Sequence, residues 1–413
     1  MDRDACTEEA KIPTVNEQPD YAAIYGRNAA LSLAELTALG EGRGFQVSPL
    51  NQYAVRLRGF DLRQADHLGA ITKIIELQGV AETAEQAVMR LAGTAPSAKK
   101  IRFGVSSYSS VPATPLNKLM KKSLTKRGVS SGFVMKREGK SGRNPDGELS
   151  AVQVFHNHLI GKGFDWCVFE TDDGWAYGKT AWVYDFAGFG KRDYDKPVSD
   201  SHRGMLPPQL ARAMINIGTR GLDTSVCDPF CGVGALLIES VTLGYETHGS
   251  DIDPKAVDGA QKNLTWLGRE FDIATPWDVF VHDATQVLPL DAPTTIVTEG
   301  YLGEPLTAQT TDADIETEAR HIETLLEAFL TNVRRSLSTG GRLVLTVPAW
   351  RLTRGERRLG LVDRVAALGY TKKSPLPERQ EESSPPGLTA RQTLDVARPG
   401  QRVIHELMIL EKA

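Results

Sequence analysis

The chain has 413 residues, which is enough for two or three domains of ordinary size. Hydrophobic residues make up 41% and charged residues 24%, which is typical of a globular protein, and no apolar run is long enough to cross a bilayer. The net charge of −4 excludes a polycation that binds nucleic acid indiscriminately. The close cysteine pair, Cys227 and Cys231, lacks the further ligands of a zinc site, so we expect no metal.

The N-terminal segment is polar and acidic, and it lacks the apolar core of a signal peptide. We interpret residues 1–20 as a disordered tail on a cytoplasmic protein. A strand is predicted at residues 21–25, followed by a helix in LSLAELTAL. A second strand is predicted in QYAVRLRG, where apolar and polar residues alternate. The next run, GAITKIIEL, fits either a helix or a strand.

Residues 100–190 continue this mixed pattern. KIRFGVSSY predicts a strand, NKLMKKSLTKRG a helix closed by Gly128, and SAVQVFHNHLIGKG a further helix. A strand pair follows, and its turn contains Asp173-Gly174, a strong hairpin signal. We therefore expect residues 21–190 to form an α+β region.

A basic segment runs from Lys118 to Arg143 and contains a single acid, Glu138. A charge run is often only a solvated surface. Here it follows a strand and lies near aromatic residues, which favours contact with RNA phosphates, and such contacts position RNA without reading its sequence. The RNA-binding candidates are Lys118, Lys121, Lys122, Lys126 and Arg127.

Residues 191–206 are polar and without periodicity, and we expect them to be an interdomain linker. Lys191 and Arg192 lie there, where RNA contact and salt bridges between domains both fit. From Pro207 strands and helices alternate, which predicts a parallel sheet covered by helices. Residues 207–413 are thus expected to form a Rossmann-like α/β domain with seven strands.

The turn DPFCGVG (residues 228–234) lies between a predicted strand and a predicted helix. Glycines allow a tight turn and close approach of a ligand, and the helix N-terminus favours an anionic group such as a carboxylate. A dinucleotide turn normally needs a third glycine, whereas Leu237 stands here, and Asp228 would repel a pyrophosphate. Asp228 suits the positively charged aminopropyl end of S-adenosylmethionine, which we predict as the cofactor.

Two further acids follow consecutive predicted strands. Asp251, with Asp253 as its rival, lies where ribose hydroxyls are bound, and Asp283 lies where an adenine amino group is received. The predicted cofactor site comprises Asp228, Phe230, Gly232, Gly234, Asp251, Ile252, Asp283 and Ala284.

These motifs resemble the THUMP-containing tRNA guanosine-N2-methyltransferases. YAAIYGRNAALSLAEL, LGAITKIIEL and LSAVQVFHNHLIGKG are similar to the N-terminal and THUMP blocks of that family, and DPFCGVGALLIES and GSDIDPKAVDGAQKNL to its cofactor motifs. The resemblance implies a THUMP-like RNA-binding region before the Rossmann-like methyltransferase domain. It also implies methylation of a guanosine exocyclic amine, at position 10 of tRNA. Some members use a small activator subunit and others act alone, and the sequence leaves this and the oligomeric state open.

The family carries Asp/Asn-Pro-Pro-Tyr/Phe after the fourth strand, but here the stretch reads TEGYLG (residues 298–303). An exocyclic amine is a poor nucleophile, so acceptors for its hydrogens must steer its lone pair toward the methyl group. We expect Glu299 to supply the carboxylate, Gly300 the carbonyl and Tyr301 the stacking face for an extruded base. The altered motif leaves the target atom, and mono- against dimethylation, undecided.

Two alternatives come from other classes. A non-catalytic RNA-binding protein that retains the cofactor fold predicts RNA binding without turnover. A methyltransferase acting on DNA bases or protein predicts turnover that is indifferent to charge reversal at Lys121, Lys122 and Arg127.

Overall fold

A computed structural model describes residues 19–96, 100–135, 147–200, 205–290, 293–376, 387–398 and 400–413. The predicted tail, except for residues 19 and 20, lies outside these residues, as do residues 136–146 of the basic segment and residues 201–204 of the predicted linker. No helix in the described ranges is long and apolar enough to cross a membrane.

The chain opens with a helix between strands, as predicted. The elements are β1 (Tyr21–Tyr25), α1 (Ala29–Arg43), β2 (Gln46–Asn51), β3 (Ala54–Arg58), a short 3-10 helix (Leu62–His67) and β4 (Ile71–Ala81). Asn28 begins α1 by accepting a hydrogen bond from the Leu31 amide, and Gly44 ends it with a φ of 79°. The ambiguous run GAITKIIEL is strand β4.

The next elements alternate in the same way. They are α2 (Ala84–Thr94), β5 (Ile101–Tyr108), α3 (Ala113–Lys126), β6 (Ser131–Phe133), α4 (Ala151–His156), β7 (Phe164–Thr171) and β8 (Gly174–Val183). The predicted hairpin is confirmed, since Thr171 pairs with Gly174. The helix predicted over SAVQVFHNHLIGKG is much shorter, because α4 ends at His156 and His158 has a φ of 54°.

The eight strands form one sheet in the order β2-β3-β1-β4-β8-β7-β5-β6. Most neighbours are antiparallel, and β5 is parallel to β6 and β7. Helices α2 and α3 cover one face of the sheet at the end formed by β8, β7, β5 and β6, where Leu91, Met120 and Trp166 share a hydrophobic core. The predicted α+β character is confirmed.

The connection between the two sheets contains a helix that was not predicted. Helix α5 (Phe186–Tyr194) includes the first four residues of the predicted linker. Its N-cap, Asp185, accepts a hydrogen bond from the Gly188 amide. Two glycines and several polar residues hide the helical periodicity of this segment in the sequence.

The C-terminal half has the predicted alternation. It contains α6 (Pro208–Thr219), β9 (Val226–Asp228), α7 (Ala235–Thr242), β10 (Thr247–Asp251), α8 (Pro254–Phe271), β11 (Trp277–Val281), β12 (Thr295–Glu299), α9 (Asp312–Ser336), β13 (Arg342–Arg351), β14 (Glu356–Arg358), α10 (Leu361–Arg364), a 3-10 helix (Val365–Leu368), β15 (Tyr370–Lys373), β16 (Leu394–Val396) and β17 (Val403–Lys412).

Seven strands of the second sheet lie in the order β11-β10-β9-β12-β13-β17-β15, with β14 and β16 attached to β13 and β17. Strands β9 to β13 are parallel, and β17 runs antiparallel to β13 and β15. The order reverses between β9 and β12, which is where ligands bind in sheets of this kind. The predicted Rossmann-like α/β fold with seven principal strands is confirmed.

Helix α6 joins the two sheets. Eleven of its twelve residues are buried, as expected for a helix covered on all sides. It packs in one core with Leu36 of α1 and with Val297, Val344 and Leu407 of the second sheet. The buried carboxylate of Glu35 strengthens this contact by accepting hydrogen bonds from the Asn216 side chain and from the Gly69 and Ala70 amides.

Candidate cofactor and active site

Three predicted acids follow the carboxyl ends of neighbouring parallel strands. Asp228 ends β9, Asp251 ends β10 and Glu299 ends β12. The strand register pairs Gly249 with Asp228, and Ile296 with Cys227. All three carboxylates therefore lie at one edge of the sheet, beside the point where the strand order reverses.

The glycine turn has the conformation that the sequence requires. Gly232 and Gly234 have φ values of 51° and 85°, which side chains with a Cβ rarely adopt. A Cβ on Gly234 would also lie 3.2 Å from the Cβ of Ala260 on α8. Helix α7 begins directly after the turn, so its first amides face the carboxyl edge of the sheet.

Asp228 is buried beneath this turn. Its Oδ1 accepts hydrogen bonds from the Thr298 hydroxyl at 2.6 Å and from the Phe230 amide at 3.1 Å. Burial raises the pKa of Asp228 to about 7, and the nearby charges of Asp251 and Glu299 act in the same direction. Because no protein donor reaches Oδ2 within the described chain, this carboxylate can receive a cationic ligand group.

The structure distinguishes Asp251 from its rival Asp253. The two oxygens of Asp251 accept hydrogen bonds from the Gly232 and Asp253 amides, which fix the carboxylate at the turn. Asp253 instead caps α8 by accepting from the Lys255 amide. Ile252, between them, is 67% exposed and offers an apolar surface at the same edge.

The other cofactor candidates lie beside these acids. Asp283 follows β11 and accepts hydrogen bonds from the amide and hydroxyl of Thr285, which lower its pKa. Ala284 is buried. Phe230 contacts Phe329 of α9 edge to face, with ring centroids 4.9 Å apart. This contact holds the turn against the hydrophobic core between α9 and strands β12 and β13.

Glu299, Gly300 and Tyr301 leave the sheet next to Asp228. The Gly300 amide donates to the Thr346 carbonyl, so the chain stays attached to β13 beyond the end of β12. The Tyr301 ring is half-buried and its hydroxyl donates to Glu304. The Oε1 of Glu299 lies 2.8 Å from Nδ1 of His405 on β17.

Two residues of this site were not predicted. Thr298, the donor to Asp228, reads in the sequence as an ordinary strand residue. His405 lies in β17, where nothing in the local sequence distinguishes it from an ordinary strand residue. The contacts of both depend on strand register, which the local sequence does not reveal.

Five of the predicted RNA-binding residues lie on α3 or directly after it, and the other two lie on α5. Four of them are exposed on the solvent side of α3, opposite Leu116 and Met120, and none has an acidic partner among the described residues. We call these residues the lysine face: Lys118, Lys121, Lys122 and Lys126. Arg127 instead donates to the Ala92 and Ala95 carbonyls at the end of α2.

Lys191 and Arg192 lie on α5 rather than in an extended linker. Lys191 pairs with Glu270, with 2.5 Å between Nζ and Oε1. Arg192 is only 5% exposed and its Nε lies 2.6 Å from Glu239 on α7. For Arg192 these contacts favour the alternative of salt bridging, because a buried guanidinium cannot reach RNA.

Burial raises the pKa of the Cys227 and Cys231 thiols, which disfavours the thiolate form that binds metals. Within the described ranges, no cluster of three histidine, cysteine, aspartate or glutamate side chains could hold a metal ion.

Comparison with known proteins agrees with this geometry. Residues 198–353 match the family described as UPF0020, RMKL-like, methyltransferase domain. The tRNA (guanine(10)-N2)-dimethyltransferase of Methanothermobacter thermautotrophicus is 30% identical over 145 residues, which are 35% of this chain and 39% of that protein. The protein of the same name from Pyrococcus abyssi is 36% identical over 97 residues, which are 24% of this chain and 26% of that protein.

The aligned stretches thus span less than half of either relative. Among solved structures, TrmN from Thermus thermophilus has a TM-score of 0.49 and 18% identity, covering 95% of this chain and 100% of that chain. The predicted resemblance to methyltransferases is confirmed as a similarity: residues 198–353 are similar to the RMKL-like methyltransferase domain, and shorter stretches of the chain are similar to the tRNA (guanine(10)-N2)-dimethyltransferases.

Proposed function

We propose that this protein uses S-adenosylmethionine to methylate the exocyclic amine of a guanosine in tRNA, at position 10 as in its named relatives. The observation that carries the proposal is the meeting of Asp228, Asp251 and Glu299 at one sheet edge. This edge lies within the residues that match a methyltransferase family.

The cofactor would lie along the carboxyl ends of β9, β10 and β11. Asp228 would receive the ammonium group, Asp251 the ribose hydroxyls and Asp283 the adenine amino group, with Ile252 against the adenine ring. When bound, S-adenosylmethionine supplies an electrophilic methyl group. Asp228 is matched to a cation, since binding one would offset the cost of its buried charge.

The target amine would lie beside Glu299. A guanine amine delocalises its lone pair into the ring, so it needs acceptors that hold its hydrogens and direct the lone pair at the methyl group. Oε2 of Glu299, which has no partner among the residues that the structure describes, and the Gly300 carbonyl are those acceptors in this proposal. Tyr301 would stack on the base, which must leave its helix to reach the site.

The N-terminal half would hold the RNA. We propose that residues 21–190 are a THUMP-like RNA-binding region and that residues 207–413 are the catalytic domain, in a cytoplasmic enzyme. The lysine face supports this assignment because its four ammonium groups are exposed and have no acidic partner within the described chain. Phosphate contacts of this kind would position the tRNA, and the catalytic half would select the base.

The test is methyl transfer from labelled S-adenosylmethionine to unmodified tRNA transcripts, followed by nucleoside mass spectrometry. Glu299→Gln keeps the size of the side chain but removes its charge, and it should strongly reduce methylguanosine formation, leaving a residual rate that can still be measured, while retaining cofactor affinity. Glu246→Gln is the matched control, since Glu246 is exposed at the opposite edge of the sheet. A wild-type protein that binds both cofactor and tRNA without product would contradict the proposal, as would product on DNA or protein alone.

A further inference from the structure

His405 and Glu299 project from the same face of the second sheet, on either side of β13. Glu299 is the register partner of Thr346 on β13, and His405 is the partner of Pro348, two residues further along that strand. Residues two apart on a strand point to the same face. This register brings Nδ1 of His405 to 2.8 Å from Oε1 of Glu299.

The pair is largely shielded from water. The side chains of His405 and Glu299 are 17% and 22% exposed. Within the described chain, the 2.8 Å approach is a close polar contact and not yet a regular hydrogen bond, because neither Nδ1 of His405 nor Oε1 of Glu299 has a hydrogen-bond partner. Oε2 of Glu299 has no described partner either. A hydrogen bond to a carboxylate in such surroundings is stronger than one on an open surface.

The sequence departure after β12 explains why such a contact is needed. Glutamate has one more rotatable bond than the Asp or Asn that the resembled motif carries, and the prolines that would stiffen the following backbone are missing (TEGYLG, residues 298–303). A free Glu299 side chain would distribute its carboxylate over several rotamers. A hydrogen-bond donor at His405, held on β17 between β13 and β15, would restrict these rotamers.

We propose that His405 is a positioning residue for the methyl transfer, an inference that rests on the proposed function. Its Nδ1–H donates to Oε1 of Glu299 and orients Oε2 toward the substrate amine. With S-adenosylmethionine bound, the amine nitrogen would bond to the methyl carbon as the sulfur–carbon bond breaks, and the electron pair of that bond would stay on sulfur. The proton released by the nitrogen passes to Oε2, while the Nδ1–H bond to Oε1 is unchanged.

The experiment compares His405→Leu and His405→Asn with the wild-type full-length protein. The leucine removes the donor, whereas the asparagine amide nitrogen lies close to the position of Nδ1 and can still donate. We expect His405→Leu to lower kcat about 10- to 100-fold, as small misplacements of a catalytic group do. The KM for tRNA and the affinity for S-adenosylmethionine should stay within about twofold. His405→Asn should recover most of the loss.

Two further measurements separate positioning from a structural role. In a Glu299→Gln background, His405→Leu should lower kcat little further, because both changes disable the same carboxylate. Nitrogen-15 NMR should find Nδ1 of His405 protonated in the wild-type protein, with its resonance shifted by Glu299→Ala. The thermal midpoint of each variant reports any loss of folding.

The outcomes decide the two proposals separately. A wild-type kcat in His405→Leu, or an equal loss in the Glu299→Gln background, would overturn the role of His405 while RNA methylation stands. If the wild-type protein methylates no RNA, the proposed function fails, and the NMR result still decides whether the pair exists. An unprotonated Nδ1 of His405 would overturn the proposed positioning role of His405.

Discussion

Replacing Asp228 by asparagine should make the cofactor-free protein more stable at neutral and alkaline pH. Asp228 is buried, and its pKa lies near 7 instead of at the ordinary value of 3.8. The unfolded chain therefore ionises first as the pH rises, and the folded state carries the cost of a buried charge. An amide keeps the acceptor for the Thr298 hydroxyl and the Phe230 amide without that charge.

The size of the effect follows from the two pKa values. Their difference of about three pH units corresponds to roughly 4 kcal/mol, which is an upper limit, because a buried amide is itself costly. We expect a gain of about 2 kcal/mol in the free energy of unfolding at about pH 8. The gain should shrink as the pH falls from about 7 toward 4, where Asp228 is protonated in the folded state and then in both states.

Urea unfolding at about pH 5 and about pH 8 would test this reasoning. Thr298→Val is the matched control, since it removes a donor to the ionised carboxylate and should destabilise the protein more at the higher pH. A gain in Asp228→Asn that is equal at both pH values, or a loss at the higher one, would refute the assignment of a buried charge. The variant should also bind S-adenosylmethionine more weakly in calorimetric titrations, so stability and function would change in opposite directions.

Three other perturbations test the proposed division of roles. Changing all four lysines of the lysine face to glutamine should weaken tRNA binding and flatten its salt dependence by up to about 0.9 per lost phosphate contact, measured by filter binding at several salt concentrations. Arg192→Met should lower the free energy of unfolding by about 1–3 kcal/mol, because among the described residues Glu239 would keep only Arg212 as an ion-pair partner, and should leave tRNA affinity unchanged; the opposite pattern would indicate RNA contact. Gly69→Ala should cost about 1–3 kcal/mol in urea unfolding, because its Cβ would lie 2.5 Å from a carbonyl oxygen of α6, whereas Gly93→Ala, with open space around it, should not.

The sequence predicted the catalytic fold well because its signals are local. A glycine turn after a strand, followed by acids after the next strands, defines the cofactor edge by chain order alone, and the sheet brings these residues together as expected. The choice between Asp251 and Asp253 needed the structure, since only the hydrogen bonds show which carboxylate faces the turn and which caps a helix.

The sequence was least informative where contacts join distant segments. The sequence predicts a linker at Lys191 and Arg192 because the glycines of this segment obscure a helix, and nothing local shows that Glu239 lies opposite Arg192. His405 and Glu299 are more than a hundred residues apart, and they meet only through the pairing of β12, β13 and β17. Such pairs depend on register, which a single sequence does not specify.

The burial of α6 bears on how the protein can be divided. Because this helix belongs to the core of both sheets, neither half has a complete apolar interior without the other. A fragment beginning at residue 207 would expose the side of α6 that now contacts α1 and would leave Asn216 without its buried partner Glu35. The N-terminal and C-terminal halves are thus expected to fold as one cooperative unit, and mutations that loosen α1 should reduce the amount of folded protein even though they lie far from the proposed cofactor site.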